Sequence, residues 1–220
     1  MPELDLEVLS ASPEPDTLIP ILNFRLGIRE GAAVRVDAIS LRCQIMVEAT
    51  RRPYAPSEQE ALLDLFGVPS RWGRTLKTML WTHAHTDVPG FTGATEVNLP
   101  VACTHDLTTS AGKYFFALEN GEVPLVFQFS GTVFWRDADG ELQVAPIPWS
   151  KEASYRLPVS TWRGLMEEHD PGSAWLCLRR DTVDRLNRYK AQRGLPGWDE
   201  AVVRLLEATT DAAATEASRR

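Results

Sequence analysis

The stretch Ile39-Ser-Leu-Arg-Cys-Gln-Ile-Met-Val47 decides the fold class. Ile39, Leu41, Cys43, Ile45 and Val47 alternate with Ser40, Arg42, Gln44 and Met46. A period of two sends the two sets to opposite faces of a β-strand, so one face is buried and the other meets water. Upstream, residues 4–9 and 18–28 are apolar and β-compatible, and Ser12-Pro-Glu-Pro-Asp16 separates them as a turn or extended linker. Two or three antiparallel strands are expected from the first third of the chain.

Downstream, Ser57 followed by Glu60 reads as a capping box, Leu62, Leu63 and Phe66 as an apolar stripe, and Gly67 as a helix stop. A short helix therefore interrupts the sheet. Strand character returns after residue 76 in "LKTMLWTHAH", a turn at "VPGFTG", and "ATEVNLPVAC", with Val97, Leu99, Val101 and Cys103 on one face. These predict a β-hairpin with a long turn. Residues 105–121 predict a helix with Leu107, Ala111, Tyr114, Phe115 and Leu118 inward, stopped at Gly121. The run 123–135, "VPLVFQFSGTVFW", is strongly β-prone, and the turn Asp137-Ala-Asp-Gly140 leads it into "ELQVAPI" as a second hairpin.

From about residue 160 the period becomes helical: Thr161 to His169, a helix capped by Asp181 and ended by Gly194, and a last helix marked by Trp198, Val202, Leu205 and Leu206. The expected architecture is α+β, an antiparallel β-sandwich-like sheet with helical connections and a C-terminal helical segment. Its expected divisions are a β-rich domain over 1–158 with one or two inserted helices, a helical segment over 159–208 packed on it, and a disordered tail over 209–220 that lacks apolar anchors.

Composition narrows the function. A chain of 220 residues, 44% hydrophobic and 24% charged, has the make-up of a globular domain able to bury a real core. Its 23 Lys and Arg against 30 Asp and Glu leave a net charge of −7, which argues against nucleic acid as a partner. No apolar run approaches a bilayer span, and the first ten residues carry acids where a secretory signal is basic, so a cytoplasmic location without membrane insertion is expected. Cys43, Cys103 and Cys177 form no CxxC pair, which suits a reducing compartment.

Little in the chain suggests chemistry. In "WTHAHTDVPGF" (81–91), His83 and His85 are one residue apart, as are Cys103 and His105 downstream. If the two segments form a hairpin, all four side chains share a face and make a tetrahedral set for zinc, iron or nickel. Against this, Met79 and Trp81 share the histidine face and Cys103 continues an apolar row that reads as core. No cofactor is predicted. Glu60 and Asp64 read as a solvated helix face, as does the basic cluster from Arg179 to Arg193. No Walker loop, dinucleotide fingerprint or nucleophile elbow is present. Among seven tryptophans, Trp72 and Trp149 lie in Pro- and Gly-flanked connections beside charged residues, the setting of side chains that anchor protein interfaces.

The runs "LRCQIMVEATRRPYAPSEQEALLDLFGVPSRWGRTLKTMLWTH", "VPGFTGATEVNLPVACTHDL", "KYFFALENGEVPLVFQFSGTVFW" and "LRRDTVDRLNRYKAQRGLPGWDEAVVRLL" resemble a domain-of-unknown-function family of high-GC Gram-positive bacteria, over residues 4–208. That resemblance implies a gene neighbourhood of nickel-iron hydrogenases and an accessory or assembly role, with a hydrogenase subunit or maturation factor as partner. The family pattern holds Trp81-Thr82-His83 and Cys103 but not a histidine at 85 or 105, which leaves an incomplete metal site. The expectation is a non-catalytic accessory protein that binds another protein. The competing expectation is a metal-binding protein or metal-dependent enzyme centred on 81–105, with a water as nucleophile.

Overall fold

The computed structural model describes residues 2–107, 109–169, 171–173 and 175–217. They fall into two compact units, divided between Trp175 and Leu176.

The first unit is an α+β sandwich of two antiparallel sheets. Strands β1 (Leu4–Pro13), β2 (Ile21–Glu30) and β5 (Ala94–Ala102) form one sheet in the order β1-β2-β5. In the other, β4 (Met79–Phe91), β3 (Val36–Val47), β6 (Glu122–Arg136) and β7 (Leu142–Pro146) follow in the order β4-β3-β6-β7, and β8 (Glu152–Pro158) also pairs with β6. The alternation of residues 39–47 behaves as expected. Ile39, Leu41, Cys43, Ile45 and Val47 are buried, with Ser40, Arg42, Gln44 and Met46 on the outer side.

The core forms between the sheets. Leu22, Phe24, Leu26 and Ile28 of β2 face Leu41, Ile45, Phe127 and Phe129 of the opposite sheet, all buried. Phe24 and Phe127 meet edge to face with ring centroids 4.9 Å apart, and each such ring removed from water stabilises the fold by about 1.5–3 kcal/mol. Gly131 makes close approach of β6 to β3 feasible. Its φ is +133°, and a Cβ there would lie 2.1 Å from the Ser40 carbonyl oxygen.

Strands β4 and β5 do not form the expected hairpin. β4 pairs with β3, placing Ala84 opposite Cys43 and Val88 opposite Ile39. β5 pairs with β2, placing Leu99 opposite Phe24 and Val101 opposite Leu22. The chain passes from one sheet to the other at Gly93, whose φ is +74° and whose carbonyl accepts the Glu30 N–H at 2.7 Å. Alternation fixes which residues of a strand face inward and says nothing of which strand lies alongside.

Between β3 and β4 run the short helices α1 (Pro56–Ala61), α2 (Leu63–Phe66) and α3 (Trp72–Thr75). The cap of α1 is Glu58 rather than the Ser57/Glu60 pair: its carboxylate accepts the Ala55 N–H at 3.0 Å. Leu62 and Phe66 are buried while Leu63 is exposed, and Gly67 ends α2 at φ +72°. Helix α4 (Ser110–Ala117) begins later than its sequence suggests, because the Thr109 hydroxyl accepts the Gly112 N–H at 3.0 Å and sets the N-terminus there. Strand β8 occupies a segment read as connection, and α5 (Val159–His169), with Trp162 and Leu165 buried, completes the unit.

The second unit contains α6 (Arg180–Arg193) and α7 (Trp198–Ala217). Asp181 lies inside the first turn of α6 instead of capping it, and Gly194 closes the helix in the left-handed region. Helix α7 continues through 209–217, part of the segment expected as a tail, and 218–220 lie outside the described residues. No helix among the described residues is long and apolar enough to cross a membrane.

Candidate functional site

The four proposed metal ligands occupy two different sheets and their ends. His83 and His85 project from the outer face of β4, both exposed, opposite Gln44 and Arg42. Cys103 follows β5, buried, with its thiol 3.8 Å from the Val101 carbonyl oxygen. His105 is also buried. Its Nε2 lies 3.3 Å from the Met166 carbonyl oxygen, and its ring stacks on Trp175 at 5.9 Å. The structure thus sets His83 and His85 on one outer face and buries Cys103 and His105 among different neighbours, without joining the pairs. Among the described residues no three His, Cys, Asp or Glu side chains gather as a metal would require. Burial pushes the thiols of Cys43 and Cys103 up to about 12, so both stay protonated at neutral pH.

The two singled-out tryptophans also part company. Trp72 donates its indole N–H to the Gly67 carbonyl at 2.8 Å and meets Tyr54 and Phe66 edge-on, at 5.2 and 6.1 Å. It fastens the helical insertion between β3 and β4. Trp149, in the turn between β7 and β8, is 91% exposed.

Strand β7, which leads to Trp149, is an edge strand: β6 hydrogen-bonds to it on one side, and no described strand pairs with its other side. Edges are ordinarily guarded by charge. β1 carries Asp5 and Glu7, β4 carries Asp87, and β5 carries Glu96. β7 reads Leu-Gln-Val-Ala-Pro with no charge, and Leu142 and Val144 are 56% and 55% exposed. At its far end a cavity of about 320 Å³ opens between Leu4, Val133, Pro146, Ile147 and Pro148, with Glu3 and Lys151 also in its lining. An uncharged edge, two exposed aliphatic side chains and an unburied indole thus lie within one run of sequence from 142 to 149, which also contributes Pro146, Ile147 and Pro148 to the cavity.

A second concavity, of about 650 Å³, lies on the outer face of the same sheet and is lined by Ser40, Arg42, Gln44, His83, His85 and Asp87 among others. Sequence reading missed Leu142 and Val144 as exposed residues and Arg42 as part of a depression. The signal for the edge was visible in the lack of charge between Glu141 and Lys151. No signal marked Arg42, because a solvated strand face and a lined depression share one alternation.

A family profile matches residues 1–214, nearly the whole chain. The chain belongs to DUF6084, a family of unknown function. No curated protein matches this DUF6084 chain. Among solved structures it is similar to the CARDB domain of a Pyrococcus furiosus protein in complex with di-metal ions, at 8% identity over 71% of this chain and 92% of that one, with a TM-score of 0.28. It is also similar to a candidate late embryogenesis abundant protein, at 8% identity over 72% and 73% with a TM-score of 0.31, and to a candidate ApaA protein from Bordetella pertussis, at 11% identity over 71% and 93% with a TM-score of 0.23. Scores this low assign DUF6084 neither a shared function nor a shared ligand.

Proposed function

We propose that this protein is a non-catalytic binding module that takes an extended segment of a partner protein as an added strand along β7. The observation that carries the reading is the uncharged, unpaired β7 edge with Trp149 exposed beside it. In strand addition the main chain supplies affinity and pockets for alternate side chains supply specificity. The guest's backbone would pair with residues 142–146, one apolar side chain would enter the cavity beside Ile147, and Trp149 would close over the segment.

A cytoplasmic location belongs to this reading, supported by three cysteines that are all free. So does an accessory role in a nickel-iron hydrogenase system, whose subunits and maturation factors are the first partners to try. The test is capture from extract of the protein's own cells with tagged wild type and with a Val144→Lys, Trp149→Ser variant. A hydrogenase component enriched by wild type and lost from the equally folded variant supports the proposal. Equal recovery by both removes β7 from it.

A further inference from the structure

We infer that the outer face of the five-stranded sheet holds a second binding site, independent of the β7 edge, for a small hydroxylated anion bearing a phosphate or carboxylate group. The register across three strands creates it. Arg42 of β3 stands between His85 of β4 and Ser130 of β6, Gln44 between His83 and Gln128, and Ser40 between Asp87 and Thr132. Neighbouring strands lie about 4.8 Å apart and successive rows about 6.8 Å apart, so these side chains line a patch the size of one small ligand. All of them but Gln128 and Thr132 line a concavity of about 650 Å³, within the range of small-molecule sites.

The chemistry of the lining selects the ligand. Among the described residues Arg42 has no ion-pair or hydrogen-bond partner, whereas Arg25, Arg29, Arg51, Arg52 and Arg136 each hold a carboxylate. An arginine on an antiparallel sheet finds its best cross-strand neighbour in an acid. Both neighbours of Arg42 in its row can donate hydrogen bonds, so the guanidinium fork has nothing of opposite charge directly opposite it. That fork matches the paired oxygens of a carboxylate or phosphate. His83 is held by Gln44, ring Nε2 to side-chain Oε1 at 3.3 Å, which fixes the imidazole at the rim. Ser40, Gln44 and Ser130 can each exchange hydrogen bonds with ligand hydroxyls, and the Asp87 carboxylate accepts from them. Polar side chains supply most of the lining residues, beside Cys43 and Ala84, which suits a guest that carries both hydroxyls and a carbon skeleton.

The experiment is a titration of full-length protein, followed by NMR of backbone amides and the His83 and His85 rings, with glucose 6-phosphate, gluconate and uncharged glucose. Wild type is compared with Arg42→Gln and with Arg71→Gln, an exposed arginine elsewhere. The expected result is saturable shifts at residues 40–44, 83–87 and 130 with at least one anion, tenfold weaker in Arg42→Gln and unchanged in Arg71→Gln. Response to the phosphate alone, or to the carboxylate alone, identifies the headgroup. Arg42 is exposed and unpaired, so its variant should fold normally, and equal melting temperatures verify this. The inference is overturned by no saturable shift up to about 10 mM, a regime weaker than most specific binding. It is also overturned by equal shifts in Arg42→Gln, or by glucose binding as well as the anions.

Discussion

Arg52 and Glu58 meet out of water, their side chains 6% and 4% exposed, with the guanidinium Nη2 2.9 Å and 3.1 Å from the two carboxylate oxygens. Glu58 also accepts the N–H groups of Ala55 and Glu119, and Arg52 donates to the Asn120 carbonyl, so one ion pair ties the helical insertion to the end of α4. Burial alone would raise the Glu58 pKa. The backbone N–H donors and the Arg52 charge outweigh it and hold the carboxyl below its ordinary value.

This pair predicts a pH-dependent stability. A carboxyl whose folded pKa is depressed stabilises the fold above its unfolded value, about 4.3, and that contribution disappears as pH falls through the folded pKa. Thermal unfolding followed from pH 7 to pH 3 should show wild type losing an advantage that Glu58→Gln never had. At pH 7 the variant leaves Arg52 buried and unpaired, so it should be less stable by about 3–5 kcal/mol. Parallel curves for the two proteins at all pH values would contradict this assignment.

Gly131 predicts a severe packing defect. Alanine there needs a φ that L residues rarely adopt and puts its methyl 2.1 Å from the Ser40 carbonyl oxygen. Gly131→Ala should lower stability by on the order of 3 kcal/mol, measured by urea unfolding. An unchanged midpoint would mean that β6 and β3 do not approach as described.

The cysteines should separate by burial. Cys177 is exposed, while Cys43 and Cys103 are buried with thiols pushed up to about 12. A thiol reagent at neutral pH should label Cys177 in the native protein and the other two only after unfolding. Rapid native labelling of Cys103 would reopen it as a ligand or nucleophile.

Metal should not be structural. His83 and His85 lie on an outer face while Cys103 lies in the core, so a chelator should leave the melting temperature of untagged protein unchanged. A chelator-induced fall that is absent in a His83→Ala, Cys103→Ala variant would instead establish a metal site spanning the two sheets.

The sequence of 39–47 carries its strand and its buried face openly, and Asp137 to Gly140 carries its turn, because both signals are local. The partners of β4 and β5 were not legible. Val97, Leu99 and Val101 alternate in the same way whether they pair with β4 or with β2, and only packing across the core separates the cases. Strand β8 was hidden by Pro148 and by the charges Lys151, Glu152 and Arg156, although Ala153, Tyr155 and Leu157 alternate toward the interior. The candidate metal ligands failed to converge for the same reason as the hairpin. A spacing of two residues fixes a shared face within a strand, not proximity between strands. Trp149 was visible as a residue and the uncharged run from Leu142 to Ser150 as a signal, yet the edge position of β7 follows only from its pairing with β6.

Hydrogen–deuterium exchange on the protein, free and bound to its captured partner, tests the central claim most directly. Strand addition predicts that the β7 amides pointing away from β6 exchange quickly in the free protein and slow markedly in the complex, with Trp149→Ser weakening the complex without altering the free pattern. Protection confined to the helical insertion or to α6 and α7, with 142–149 unchanged, would contradict it.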